Sequence, residues 1–171
     1  EGRSQSEKQA EGNGTIILND ADAANLDRAT ANVESTSAGA ARVVSFQGNF
    51  ADLPRKMREA GLSADMVLAD LGFASNQVDE ASRGFSFMRE GPLDMRLDPS
   101  RGMSAADLVN KASEGELAAI LRDYGEEPAA RRIAGAIVRA RKAGPLNTTT
   151  ALAELVKATI GQRPGGIHPA T

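Results

Sequence analysis

Three short apolar runs stand in the first half of the chain: "TIILND" (15–20), "ARVVSFQGNF" (41–50) and "ADMVLADLG" (64–72). Each is too continuous for a strand with one wet face, and each predicts a buried strand. Between them, Ala24, Leu26, Ala29 and Val33 fall at helical spacing in "ADAANLDRATANVE", and Leu53, Met57 and Ala60 share a face in "FADLPRKMREAGL". Strands alternating with helices of this length predict an α/β fold with a parallel, doubly wound sheet. Beyond residue 100 the pattern turns wholly helical. Ser104 with Asp107, and Ser113 with Glu116, have the spacing of capping boxes, and Leu117, Ile120 and Leu121 follow the second. A third helix is expected over Glu126–Lys142, with Ile133, Ile137 and Val138 as its stripe, and a fourth over "NTTTALAELVKATIG", burying Leu152, Leu155, Val156 and Ile160 and ending at Gly161. Four helices in succession predict a helical subdomain inserted in or appended to the sheet.

Composition narrows the chemistry. The 171 residues are 41% hydrophobic and 25% charged, enough to bury a core. The absence of cysteine removes disulfides, thiolate metal sites and cysteine nucleophiles, and a single histidine, His168, cannot anchor a metal cluster. No apolar run reaches the roughly eighteen residues of a membrane span. The opening "EGRSQSEKQAEGNG" has neither the basic start nor the apolar centre of a signal peptide, so the reading is cytoplasmic, with no membrane partner. Net charge is −3, split as −6 over residues 1–82 (7 Lys/Arg, 13 Asp/Glu) and +3 over residues 83–171 (13 against 10). A mildly basic second half suits a polyanion, and a solvated surface accounts for it equally well.

In a doubly wound sheet the ligand lies beyond the carboxyl ends of the strands. Asp20 ends the first run, where a carboxylate can accept both hydroxyls of a ribose. Phe50 follows the second, where an aromatic can cover an adenine, and Asp70 ends the third. Together they outline a nucleoside pocket. An acid after a strand is also a good helix N-cap, the role that suits Asp22, and a Phe in such a place is often core.

The stretch "DLGFASNQVDEASRGFSFMREGPLDMRLDPSRGMSAADLVN", followed by "YGEEPAARRIAGAIV" and "HPAT", resembles the bacterial 16S ribosomal RNA (cytosine-1402-N4)-methyltransferase family. The resemblance covers about residues 15–171, and "RGFSFMREGPLDMR" is its most distinctive part. It implies a partial Rossmann-like methyltransferase sheet with an all-α insertion, S-adenosylmethionine as cofactor, and 16S ribosomal RNA within the small subunit as partner. It also implies roles: Asp20 for the ribose, Phe50 beside the adenine, Asp70 near the methionine moiety, and Gln77 as a further cofactor contact. The implied divisions are an unmatched, flexible polar segment (1–14), a partial cofactor-binding core (15–101), the helical insertion (102–168) and a short return to the core (169–171). The family's glycine-rich first motif, and everything after "HPAT", have no counterpart here. The chain thus reads as a fragment, expected to be inactive and marginally folded alone.

The chemistry asked of such a site is demanding, because the exocyclic amine of cytosine delocalises its lone pair into the ring. Alignment with the methyl donor must dominate. Asp70 is a candidate catalytic group, as an acceptor for the amine or for the cofactor's ammonium. In the loop behind it, Arg83, Arg89, Arg96 and Arg101 can contact phosphates, while Phe85 and Phe87 can stack on a base taken out of its stack. The competing reading has these aromatics plugging the interface of sheet and helices, and Arg96 paired with Asp94 or Asp98. Arg139, Arg141 and Lys142 at the end of the third helix are RNA-binding candidates on the same terms, as are the neighbouring Arg131 and Arg132. A nicotinamide-dependent dehydrogenase lacks its glycine fingerprint here. A non-catalytic RNA-binding module built on the same fold is the alternative. Whether the chain forms a homodimer is open at this level.

Overall fold

A computed structural model describes residues 14–162 and 165–171, and the chain divides into two compact units, residues 1–69 and 70–171. The first unit holds β1 (Gly14–Asp20), α1 (Ala23–Ser37), β2 (Ala41–Gln47), a 3-10 turn (Phe50–Asp52) and α2 (Leu53–Glu59). β1 and β2 pair in parallel, Gly14 opposite Ala41 and Asp20 opposite Gln47, with α1 as the crossover that parallel pairing requires. Asp22 caps α1 through its carboxylate, which accepts from the Ala24 and Asn25 amides, so the capping role expected of it is realised. Gly14 already belongs to β1, and residues 1–13 of the expected flexible segment lie outside the described residues.

Two expectations about the sheet need correction. No residue of β1 or β2 is fully buried; both strands are half-covered, although α1 packs along them and buries Leu26. The third run forms no strand at all. Met66, Val67 and Leu68 lie outside any helix or strand and are 87%, 82% and 92% exposed. Continuity of apolar residues reports a segment's capacity for burial, not the presence of a neighbour. In a doubly wound sheet a strand across the switch point pairs with the central strand rather than with its sequence neighbours, and the described residues contain only the β1–β2 pair.

The second unit is helical: α3 (Ser75–Asp79), α4 (Ala105–Lys111), α5 (Glu114–Asp123), α6 (Ala130–Ala140) and α7 (Thr149–Ile160). Both expected capping boxes form. The Ser104 hydroxyl accepts from Asp107 N–H at 3.1 Å and Ser113 does the same for Glu116 at 3.3 Å, each acid reaching back to its serine. Thr148 caps α7, which stops at Gly161. α6 starts four residues after the expected Glu126, because Glu126 takes a left-handed φ of +51° and Pro128 lies in the turn ahead of the helix, and it ends two residues before Lys142. Leu93, Val109, Leu117, Ile133, Ala134, Ile137 and Val156 form the core, so α6 is central.

The loop from Asp70 to Arg101 belongs to this helical unit, not with the strands as the sequence reading divided the chain. Its physical ties run to α4 and α7. Leu93 N–H donates to Asn147 O at 2.8 Å, Thr149 N–H to Gly91 O at 3.0 Å, and Ala105 and Ala106 N–H to Asp94 O and Leu93 O at 2.8 and 2.7 Å. Pro92 and Thr148 form an antiparallel bridge.

Candidate functional site

Asp20 closes β1 with a carboxylate held from two sides. Its Oδ1 accepts from the Asp22 amide at 2.9 Å, and its Oδ2 accepts from the side-chain amide of Asn25 at 3.1 Å. The first bond is an Asx-type turn; the second comes from the first turn of α1, so helix and strand together orient the group. Two of its roughly four lone-pair positions are used this way, and the half-buried carboxylate keeps acceptor capacity for hydroxyls.

The neighbouring strand end is fixed by the same edge. Gly48 N–H donates to Asp20 O at 2.8 Å, while the Asn19 side chain donates to Phe46 O at 2.6 Å and Gly48 O at 3.1 Å. Lys56, from α2, donates to the Gln47 carbonyl. Gly48 adopts φ +134°, which turns the chain out of the strand, and Asn49 then caps the 3-10 turn through Ala51 N–H at 2.9 Å. That turn opens with Phe50, 61% exposed. Asp20 and Phe50 thus share the carboxyl edge of one parallel pair, Phe50 being three residues beyond the partner of Asp20. An oriented carboxylate and an uncovered aromatic ring fit a ribose and a purine.

In the second unit Asp70 is exposed and outside any helix or strand. Gln77 is buried at 3% exposure, and its side-chain oxygen accepts from Ala74 N–H at 2.8 Å, fixing the start of α3. Phe73 stacks on Phe85 with ring centroids 5.8 Å apart, and the Arg83 guanidinium lies 5.9 Å from the Phe85 centroid. Phe87 meets the ring of His168 at 4.6 Å. The loop closes on itself at Gly84, where φ is +73° and a Cβ would stand 2.8 Å from Asp94 N.

The candidate RNA residues differ in how far the fold engages them. Arg96 forms a two-pronged pair with Asp94 at 2.9 and 2.6 Å, which holds the Asp94 carboxyl below its ordinary range and raises the guanidinium. Arg83 donates to the carbonyls of Arg96 and Leu97, at 3.2 and 2.9 Å, and Arg89 reaches Asp79 O at 3.4 Å. Arg141 spans from α6 to the end of α4, donating to Val109 O at 2.9 Å and Ala112 O at 2.7 Å. Arg101, Arg139 and Lys142 are exposed.

Within the helical unit, Phe85, Phe87 and Met95 from the loop face Ile120 and Leu152 of α5 and α7 across an apolar cavity of about 820 Å³, with Pro169 at its margin. Both phenylalanines are half-buried there. Asn25, Asn19 and Thr149 escaped the sequence reading. Asn25 had a usable signal, since Asp20, Asp22 and Asn25 occupy a strand end, an N-cap and the first helical turn, positions that converge in space.

The chain is 52% identical over 137 residues to ribosomal RNA small subunit methyltransferase H of Methylobacterium nodulans, covering 79% of this chain and 40% of that protein. With the protein of the same name from Halorhodospira halophila it shares 51% over 146 residues, 84% of this chain and 45% of the relative. With that of Pelobacter propionicus it shares 44% over 168 residues, 96% and 53%. The chain spans about half the length of the curated relatives it matches. The family model for the MraW methylase family matches residues 4–171, reaching back into the polar segment that sequence reading left unmatched. With its parallel strand pair, its helical unit and a match over nearly the whole length, the chain belongs to the MraW methylase family.

Proposed function

We propose that the protein carrying this chain transfers a methyl group from S-adenosylmethionine to N4 of cytidine 1402 in 16S ribosomal RNA, on the small ribosomal subunit in the cytoplasm. The observation that carries this reading is the Asp20 carboxylate, held by Asp22 N–H and Asn25 on the strand edge that also presents Phe50. Asp20 accepts the ribose hydroxyls and Phe50 covers the adenine. In the second unit, Asp70 accepts from the cofactor's ammonium or the substrate amine, and Gln77 orders the chain that follows Asp70. S-adenosylmethionine, when bound, supplies an electrophilic sulfonium methyl. The residues of this chain do the rest by orienting the weakly nucleophilic amine and excluding water.

On the RNA side, Phe85 and Phe87 wall a base removed from its stack; Arg83, Arg89 and Arg96 order the loop bearing them, and Arg89 and Arg96 keep donors for phosphate. Arg101, Arg139 and Lys142 contact phosphates directly, and Arg141 braces the end of the helix that carries Arg139.

Asp20→Asn in the intact protein tests the cofactor site. The substitution keeps the shape and removes a charged acceptor, so affinity for S-adenosylmethionine should fall by about 1.5–3 kcal/mol in titration calorimetry. Methyl transfer to 16S ribosomal RNA, with the modified base mapped by mass spectrometry, tests the reaction. Unchanged affinity would remove Asp20 from the site, and a methyl group on another base would overturn the substrate assignment.

A further inference from the structure

α6 carries three arginines around a groove that the cofactor site does not use. Positions 131, 135 and 139 lie in one row along the helix and 132, 136 and 140 in the next. The middle rungs of both rows are small and buried, Gly135 and Ala136. α5 supplies one wall at Glu114 and α7 the other at Ala158 and Thr159, enclosing about 720 Å³. Arg131 and Arg132 stand at one end and Arg139 at the other, two helical turns or about 12 Å along the axis.

The electrostatics favour an anion. Three guanidinium groups line the groove against one carboxylate, Glu114. Arg132 is steadied by donating to Thr159 O at 2.8 Å, which leaves most of its five N–H groups for another acceptor. The guanidinium groups of Arg131 and Arg139 have no hydrogen-bond or ion-pair partner among the described residues. Gly135 matters because a Cβ there would stand 3.2 Å from Arg139 Nη1 and 3.5 Å from Glu114 Oε1. The missing methyl makes room for the guanidinium to lie along the groove floor.

We propose that this groove binds phosphodiester groups of a single RNA strand, one at the Arg131–Arg132 end and one at Arg139. The inference rests on the RNA reading above and deepens it, naming a surface that includes Arg131 and Arg132 and leaves Arg141 to its structural bond. Guanidinium forks match the paired oxygens of a phosphodiester, and a floor of glycine and alanine lets a backbone approach closely without offering a pocket for an apolar anchor.

The test uses the intact protein and a fluorescein-labelled 16S ribosomal RNA transcript, with affinity measured by anisotropy across potassium chloride concentrations. The Arg131→Gln/Arg132→Gln/Arg139→Gln variant should bind more weakly at low salt. The slope of log affinity against log salt should shrink by about 1.4, the release expected for two phosphates of a single strand. The Arg131→Gln/Arg132→Gln pair, which removes one of the two phosphate contacts, should lose about half of that. Gly135→Ala should weaken binding with no change of charge, while Arg122→Gln, outside the groove, should match the unaltered protein. Affinity for S-adenosylmethionine, measured on the same samples, should not move, which separates loss of the groove from loss of the fold. An unaltered slope in the triple variant, with the parent binding RNA, would overturn the groove alone. A parent protein with no salt-dependent RNA binding would overturn the RNA reading and the groove with it. Displacement of the RNA by polyglutamate from the parent but not from the triple variant would assign the groove to an acidic peptide instead.

Discussion

Replacing Gly91 by alanine should unfasten the loop that carries Phe85 and Phe87. Gly91 is buried, and a Cβ built there falls on the carbonyl oxygen of Ala81, with the carbonyl carbon 2.9 Å away. Ordinary carbon–carbon contact lies near 3.5–4.0 Å, so the two backbones must part by roughly 0.6–1.1 Å. Neither is a flexible side chain that can swing aside. The same displacement stretches the two bonds joining Gly91 to Thr149, Thr149 N–H to Gly91 O at 3.0 Å and Gly91 N–H to Thr149 Oγ1 at 3.3 Å. Overpacking of this kind costs about 1–3 kcal/mol, and each hydrogen bond lost adds about 1 kcal/mol. The sum, about 3–5 kcal/mol, is a large share of the stability of an ordinary domain. Urea denaturation of the intact protein followed by circular dichroism measures it, and hydrogen exchange at the Thr149 amide reports the bond itself. A loss below about 1 kcal/mol with Thr149 protection unchanged would refute the reasoning.

Arg141→Met should lower the melting temperature while Arg139→Met should not. Only Arg141 donates to the final carbonyls of α4, and bonds from a charged donor are worth about 1.5–3 kcal/mol each. Asn25→Ala removes the 3.1 Å donor to Asp20 and should weaken S-adenosylmethionine binding by about 0.5–1.5 kcal/mol in calorimetry, with the melting curve little changed. Asp107 is held at about 2, from an ordinary 3.8, by Lys111 and then Ser104. Its folded value lies below the unfolded one, so its contribution is complete above about pH 4 and is lost as pH falls through 2; Asp107→Asn should flatten that acid limb in a circular dichroism titration.

The helices were legible because their signals are local. Ser104 with Asp107, Ser113 with Glu116, and Thr148 with Gly161 each lie within one element and need no knowledge of what packs upon it. The segment 64–72 has the pattern of a strand but forms none, because a parallel strand depends on a remote partner. The loop's membership in the helical unit was hidden for a similar reason, since its bonds to Asn147 and Thr149 join residues more than fifty positions apart. At the strand edge, Asp20 and Phe50 could be located by their position after apolar runs, but Asn25 needed the turn geometry. In the basic cluster, Arg139, Arg141 and Lys142 look alike in sequence, and only the contact to α4 separates a brace from exposed cations. Asp94 and Asp98 stand at the same spacing from Arg96; Arg96 pairs with Asp94, whose Oδ1 takes both its amide and its guanidinium, while the Asp98 carboxylate takes Ser100.

The fastening of residues 91–93 to the start of α7 also sets an order of events during synthesis. Gly91 and Thr149 are 58 positions apart, and at 5–20 residues per second a ribosome needs about 3–12 s to make the second after the first. Helices α4 and α5 can wind within microseconds of emerging and α4 can take up Leu93 O and Asp94 O, whereas the bonds of Gly91 and Leu93 to the start of α7 wait until Asn147 and Thr149 arrive. Phe85, Phe87 and Leu93, which share a cavity with Leu152 and Val156 of α7, therefore keep part of their apolar surface uncovered over that interval, which is long enough for a chaperone to attend to them.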